Sequence, residues 1–126
     1  MLSSQEVNCL GQIIDTTYGR SSTVASPTRS IKCALAGEVL TVRYTTVIQL
    51  MSEHDKREQV KRSEEESVKV CDDYMRNLRK EFKESAGRAL KVKQIDTSDS
   101  VEVITTSPYN PRKMAYYRRV VSFEVG

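Results

Sequence analysis

Apolar residues recur along this chain at two different spacings, and the places where the spacing changes mark out its elements. The longest segment runs from Ser52 to Gly87. Val60, Val68, Cys71, Met75, Leu78 and Phe82 fall there at three- and four-residue steps or sums of them, with Tyr74 beside them. That is the repeat of one helix face. Ser52 is placed to cap the helix, Glu53 and Asp55 suit the positive end of its dipole, and Gly87 suits the left-handed residue at which helices stop. The spacing predicts a helix over 52–87. At 1.5 Å per residue it would reach roughly 50 Å. Its charged first half must therefore project past the rest of the fold or start later.

Ahead of it, Ser3-Ser4-Gln5-Glu6 has the spacing of a capping box, with Ser3 as cap and Glu6 reaching back. Val7, Leu10, Ile14 and Tyr18 follow at helical steps and Gly19 closes the segment, which predicts a helix over 4–18. Its apolar stripe is narrow, so it should lie on a sheet or on a neighbouring subunit. Residues 20–30, rich in Ser and Thr and containing Pro27, read as a mobile loop. Ile31, Cys33 and Leu35, then Leu40, Val42, Tyr44, Thr46, Ile48 and Leu50, alternate as strand side chains do, around a turn at Gly37-Glu38. This predicts a β-hairpin over 31–50.

Beyond the central helix the strands occupy 89–125. Leu90 to Lys93 and Val101 to Ile104 alternate on either side of Asp96 to Ser100, which reads as a polar turn and hence as a second hairpin. A last strand from Met114 to Val125 sets Ala115, Tyr117, Val121 and Phe123 on one face together with Arg119. Met114, Tyr116, Arg118, Val120 and Ser122 take the other face. The order is α-β-β-α-β-β-β. Hairpins joined by a helix imply an α+β fold: one mainly antiparallel sheet of about five strands with the long central helix packed on one face. Leu40, Val42, Ile48, Cys71, Leu78, Phe82, Val92, Val103, Val121 and Phe123 are the expected core.

The length of 126 residues suits a single domain over 1–126. The net charge of +3 is modest, and its location changes the picture more than its size. The central helix cancels its own charges, whereas residues 107–126 hold Arg112, Lys113, Arg118 and Arg119 against Glu124 alone. A dedicated nucleic-acid binder usually carries a larger basic bias. Cys9, Cys33 and Cys71 are far apart and form no C-x-x-C pair, so they are expected as reduced, buried thiols rather than metal ligands or a disulfide framework. The N-terminus lacks the basic and apolar regions of a signal peptide and no apolar run approaches a membrane span, so we expect a soluble protein made in a cytoplasm.

Catalytic chemistry has little to work with. His54 is the sole histidine and stands among charges at the start of a helix. Glu64-Glu65-Glu66 and Asp72-Asp73 are consecutive on a helix, so their side chains diverge by about 100° per residue and form no convergent pair. The five glycines are scattered and make no phosphate-cradling loop. We expect no enzymatic activity, no cofactor, no metal and no small-molecule ligand. The remaining candidate site is Tyr109, Arg112, Lys113, Tyr116, Arg118 and Arg119, a loop and strand interleaving aromatics and bases, with Tyr117 among them. Three readings are open: solvated strand residues with Tyr117 in the core, a protein interface enriched in Tyr and Arg, or a small nucleic-acid-binding module pairing phosphates and stacking bases.

The opening Met1-Leu2-Ser3-Ser4-Gln5-Glu6-Val7 and the closing Ser107-Pro108-Tyr109-Asn110-Pro111-Arg112-Lys113 to Tyr116-Tyr117-Arg118-Arg119 resemble small virion proteins of tailed bacteriophages, above all contractile-tailed ones. The layout of one short domain, a loop, a long charged helix and a late arm resembles them too. The resemblance implies a non-enzymatic structural role at the capsid or the head–tail junction, in many copies. The partners would be other virion proteins and the chain itself, in the virion, after synthesis in the host cytoplasm. Nucleic acid is the alternative partner, with Arg112, Lys113, Arg118 and Arg119 on phosphate and Tyr109 or Tyr116 on bases.

Overall fold

The computed structural model describes residues 2–24, 29–50, 53–104 and 113–126. Helix α1 (Ser4–Val24) leads into strands β1 (Arg29–Ala36) and β2 (Val39–Leu50), then helix α2 (Glu53–Ala86), then strands β3 (Val92–Ile104) and β4 (Lys113–Val125). The fold is α+β. The four strands form one sheet in the order β1-β2-β4-β3, every neighbouring pair antiparallel. β4 lies between β2 and β3, so α2 carries the chain across it.

Local chemistry sets the ends of these elements. The capping box forms as its spacing requires: Ser3 N–H donates to Glu6 Oε1 at 3.0 Å and Glu6 N–H donates to Ser3 Oγ at 3.2 Å. Gly37 turns the first hairpin with φ 62 and Gly87 ends α2 with φ 75, both in the left-handed region that favours glycine. Gly19 does not close α1, which runs on to Val24 through part of the expected loop. A glycine inside a helix costs only about 1 kcal/mol against alanine and stops it only where the backbone turns left-handed. Residues 25–28 of that loop, and the expected cap Ser52, lie outside the described residues.

The core lies between the two helices and one face of the sheet. Leu10, Ile13 and Ile14 of α1, Cys71, Tyr74, Met75, Leu78 and Phe82 of α2, and Leu40, Val42, Val121 and Phe123 of the sheet pack as one cluster. Leu40, Val42, Leu78 and Phe82 are wholly enclosed, and Ile48 is buried as well. Val92 is half-buried against this cluster, and the Val103 side chain lies outside the described set. Val68, expected on the buried face of α2, is exposed, and Ser67 takes the inner position with no exposure at all. At about 100° per residue Ser67 lies nearer the centre of the whole buried stripe of Cys71, Tyr74, Met75, Leu78 and Phe82 than Val68 does. Its hydroxyl is satisfied by donating to the Glu64 carbonyl at 2.7 Å, which lets a polar residue sit there without penalty.

The expected second hairpin is not present. Residues 92–104 run as one continuous strand against β4, with a single register shift between Gln94 and Asp96 that leaves Ile95 as the extra residue of a bulge. The sheet therefore has four strands rather than about five, and the order is α-β-β-α-β-β. Asp96 to Ser100 look like a turn because they are polar and small. They stand instead in an edge strand that neither helix covers, where solvent accepts polar side chains and β4 supplies a partner along its whole length.

Candidate interaction surface

Alternation along the strands gives the sheet two unlike faces. One face meets both helices. The other carries Arg43, Thr45, Val47, Tyr116, Arg118 and Val120, and no described element lies over it. Register places Val47 opposite Tyr116, Thr45 opposite Arg118 and Arg43 opposite Val120, which builds a band of apolar and aromatic groups with guanidiniums beside them. Tyr116 is 38% exposed, and Val39, further along the same face, is 37% exposed. The band is held rigidly by a sheet whose other side is a packed core, and Tyr with Arg is the composition enriched where proteins meet.

The expected site residues divide among these surroundings. Tyr109 and Arg112 lie outside the described residues, and Lys113 opens β4 with its side chain outside the described set. Tyr116 and Arg118 stand on the uncovered face. Arg119, expected to act with Arg118, stands on the opposite face under the helix layer, its side chain only 15% exposed. Its Nη1 donates to both carboxylate oxygens of Asp99, directly opposite on β3, at 3.2 Å each. Its Nε is buried without a hydrogen-bond partner. Beside it Tyr117, almost fully enclosed, brings its hydroxyl to 3.4 Å from Ser67 Oγ, and burial pushes the Tyr117 phenol above its ordinary pKa. Ser67, Tyr117, Arg119 and Asp99 thus form a polar layer that runs from the buried side of α2 out to the exposed β3 edge.

Sequence reasoning missed that layer because it placed Asp99 in a turn. It also missed the share of β2 in the uncovered face. The signal was available in the alternation of Val39, Thr41, Arg43, Thr45 and Val47, but nothing in it says which side the helices leave bare. A second feature it missed is a cleft of about 500 Å³ between α2 and β3, lined by Met75, Arg76, Arg79, Val92, Gln94 and Phe123 with Asp72 at its rim.

Among the described residues no three or more His, Cys, Asp or Glu side chains are grouped to hold a metal ion, and no helix is long and apolar enough to cross a membrane. The three cysteines are free, and burial pushes the Cys33 and Cys71 thiols up to about 11. At that value they are protonated and unreactive near neutral pH.

Arg88 ties the two ends of the chain together. It pairs with Glu6 at the start of α1, donates to the carbonyls of Ala89 at 3.1 Å and Gly126 at 3.3 Å, and stacks its guanidinium 5.5 Å from the centre of the Phe82 ring. The Arg88 hydrogen bond, helped by the Ser3 N–H, lowers the Glu6 carboxyl from 4.5 to about 2. A depressed folded-state value means that the stabilisation is complete above the unfolded pKa and lost as pH falls through the folded one. Between pH 5 and 2 the wild type should therefore lose urea resistance more steeply than Glu6→Gln. Parallel curves for the two proteins over that range would show that the pair contributes nothing.

Compared with protein-family models, curated proteins and solved structures, the chain matches none.

Proposed function

We propose that this chain is a non-enzymatic assembly subunit that binds protein partners, its own copies included, through the uncovered sheet face, the sheet edges and the C-terminal strand. The setting we propose is the virion of a tailed bacteriophage, at the capsid or the head–tail junction, following the resemblance of its terminal segments. One observation carries the binding role: a four-stranded sheet with helices on one side only, whose bare side presents Val47, Tyr116 and Val120 among arginines. Exposed apolar patches on a small domain mark sites of association. The separation of Arg118 from Arg119 on opposite faces favours this reading over a single phosphate-tracking strip of bases.

Size-exclusion chromatography with light scattering, on the chain alone and mixed with the other structural proteins of its particle, tests the proposal. The wild type should enter a larger particle. Val47→Glu combined with Val120→Glu, both outside the core, should stay behind while melting within a few degrees of the parent. A strict monomer that joins no larger particle would overturn the proposal.

A further inference from the structure

Both outer strands of the sheet, β1 and β3, have no partner strand on their outer side among the described residues. Such edges are ready templates for another strand. The two edges are unlike each other in three respects, and each difference makes one complement the other.

The first is cover. α1 packs on β1 and on α2, α2 packs on β2 and β4, and β3 has no comparable helix packing, only its first residue Val92 reaching the core cluster. The helix layer is thus displaced toward the β1 side, and the cleft beside α2 is the gap it leaves over β3. Four strands at about 4.8 Å span about 19 Å, and two helices at about 10 Å span about 20 Å. The two layers have the same width but are out of step. A copy added at β3 through its own β1 would bring its α1 over the empty strand.

The second is charge. On the uncovered face, β1 and β2 set Lys32 directly opposite Arg43, both exposed, with no acid on that face of either strand. On the same face β3 carries two acids, Asp96 and Glu102, against one base, Lys93, all exposed. A two-fold pairing of β3 with β3 would join two faces of net acidic charge, and one of β1 with β1 would gather the lysines. β1 against β3 joins edges of opposite net sign, Lys32 meeting the face of Asp96.

The third is direction. The sheet is antiparallel throughout, so β1 and β3 run in opposite senses. A copy shifted across the sheet in the same orientation presents an antiparallel strand. Lys32, Arg43, Val120 and Ser98 lie on one level across the four strands. The shifted copy therefore sets its Lys32 opposite Ser98 and diagonal to Asp96, within side-chain reach.

We infer that copies of this chain join head to tail, β1 of one pairing with β3 of the next, so that the sheet continues from subunit to subunit. This interface is heterologous, and it closes into a ring or grows as a filament according to the rotation per step. The inference rests on the assembly reading above and names the surface by which the chain meets itself.

The test uses two surface variants and their mixture, followed by light scattering at matched concentrations. Lys32→Glu meets Asp96 of its neighbour, and Ser98→Lys meets Lys32 of its neighbour. Each alone should weaken self-association on the order of tenfold, the swing from an attractive to a repulsive cross-strand pair. Mixed, the two variants should assemble as alternating copies, because the acid introduced by Lys32→Glu in one copy meets the base introduced by Ser98→Lys in the other, while the remaining junction is native. Thermal melts of the separate variants should match the parent. Loss in both variants with recovery in the mixture supports head-to-tail pairing, since in an isologous β1 or β3 dimer one of the two variants alters no interface residue and loses nothing. A wild type that assembles and is unmoved by either reversal overturns the edge pairing and leaves the assembly reading standing. A wild type that stays monomeric alone also overturns the pairing, and the assembly reading is then decided by the mixtures with partner proteins.

Discussion

Replacing Phe82 by alanine is expected to cost about 3–5 kcal/mol and to lower the melting midpoint by more than roughly 10 °C. The ring is wholly enclosed at the C-terminal end of α2, in the cluster that joins Leu78, Leu90 and Val125 to the centre of the sheet. Truncation removes its transfer free energy and leaves a cavity under a helix end that cannot collapse freely. The Arg88 guanidinium, 5.5 Å from the ring centre, loses its aromatic partner as well. A loss of this size is a large part of the roughly 5–15 kcal/mol that ordinarily holds a domain together. Urea titration followed by circular dichroism measures it, with Phe82→Leu retaining much of the parent stability. If Phe82→Ala unfolds at the parent's urea midpoint, the ring does not hold α2 to the sheet.

The polar layer should show an asymmetry between its two charges. Asp99→Ala is expected to cost about 1–3 kcal/mol, because it strands the largely buried Arg119 guanidinium without its counter-ion. The figure is kept below that of a fully buried pair because the Asp99 side chain is 33% exposed and partly screened by solvent. Arg119→Met should cost about 1 kcal/mol or less, since a thioether of similar length fills the space and the unpartnered Nε disappears. Matched urea curves of the two variants settle the order. Arg119→Met proving the more damaging would mean that the guanidinium holds the layer together through Tyr117 rather than burdening it.

The sequence carried the local devices almost completely. The Ser3–Glu6 capping box, the turn at Gly37 and the stop at Gly87 each follow from a side-chain oxygen or a missing Cβ within a few residues, so no distant contact is needed to place them. The pairing of β1 with β2 and the buried run Leu40, Val42, Ile48 were legible for the same reason, since alternation encodes the inner face directly. The inner position of Arg119 beside Tyr117, Val121 and Phe123 was also readable from alternation, but the partner that lets a charge stay there was not.

What the tertiary structure alone decided depends on contacts between segments far apart in the chain. Asp96 to Ser100 form a strand because β4 offers a ladder opposite them, and no local pattern of small polar residues distinguishes an uncovered edge strand from a turn. Ser67 is buried and Val68 exposed where Ser67 Oγ meets the Tyr117 hydroxyl, fifty residues on, a partner that no local pattern in α2 reveals. The bare sheet face follows from both helices settling on one side. Helix periodicity fixes which face of a helix is apolar and strand alternation which side of a strand is apolar. Neither fixes how many helices will share one side of a sheet, because that choice is made by the total area the two layers can bury together.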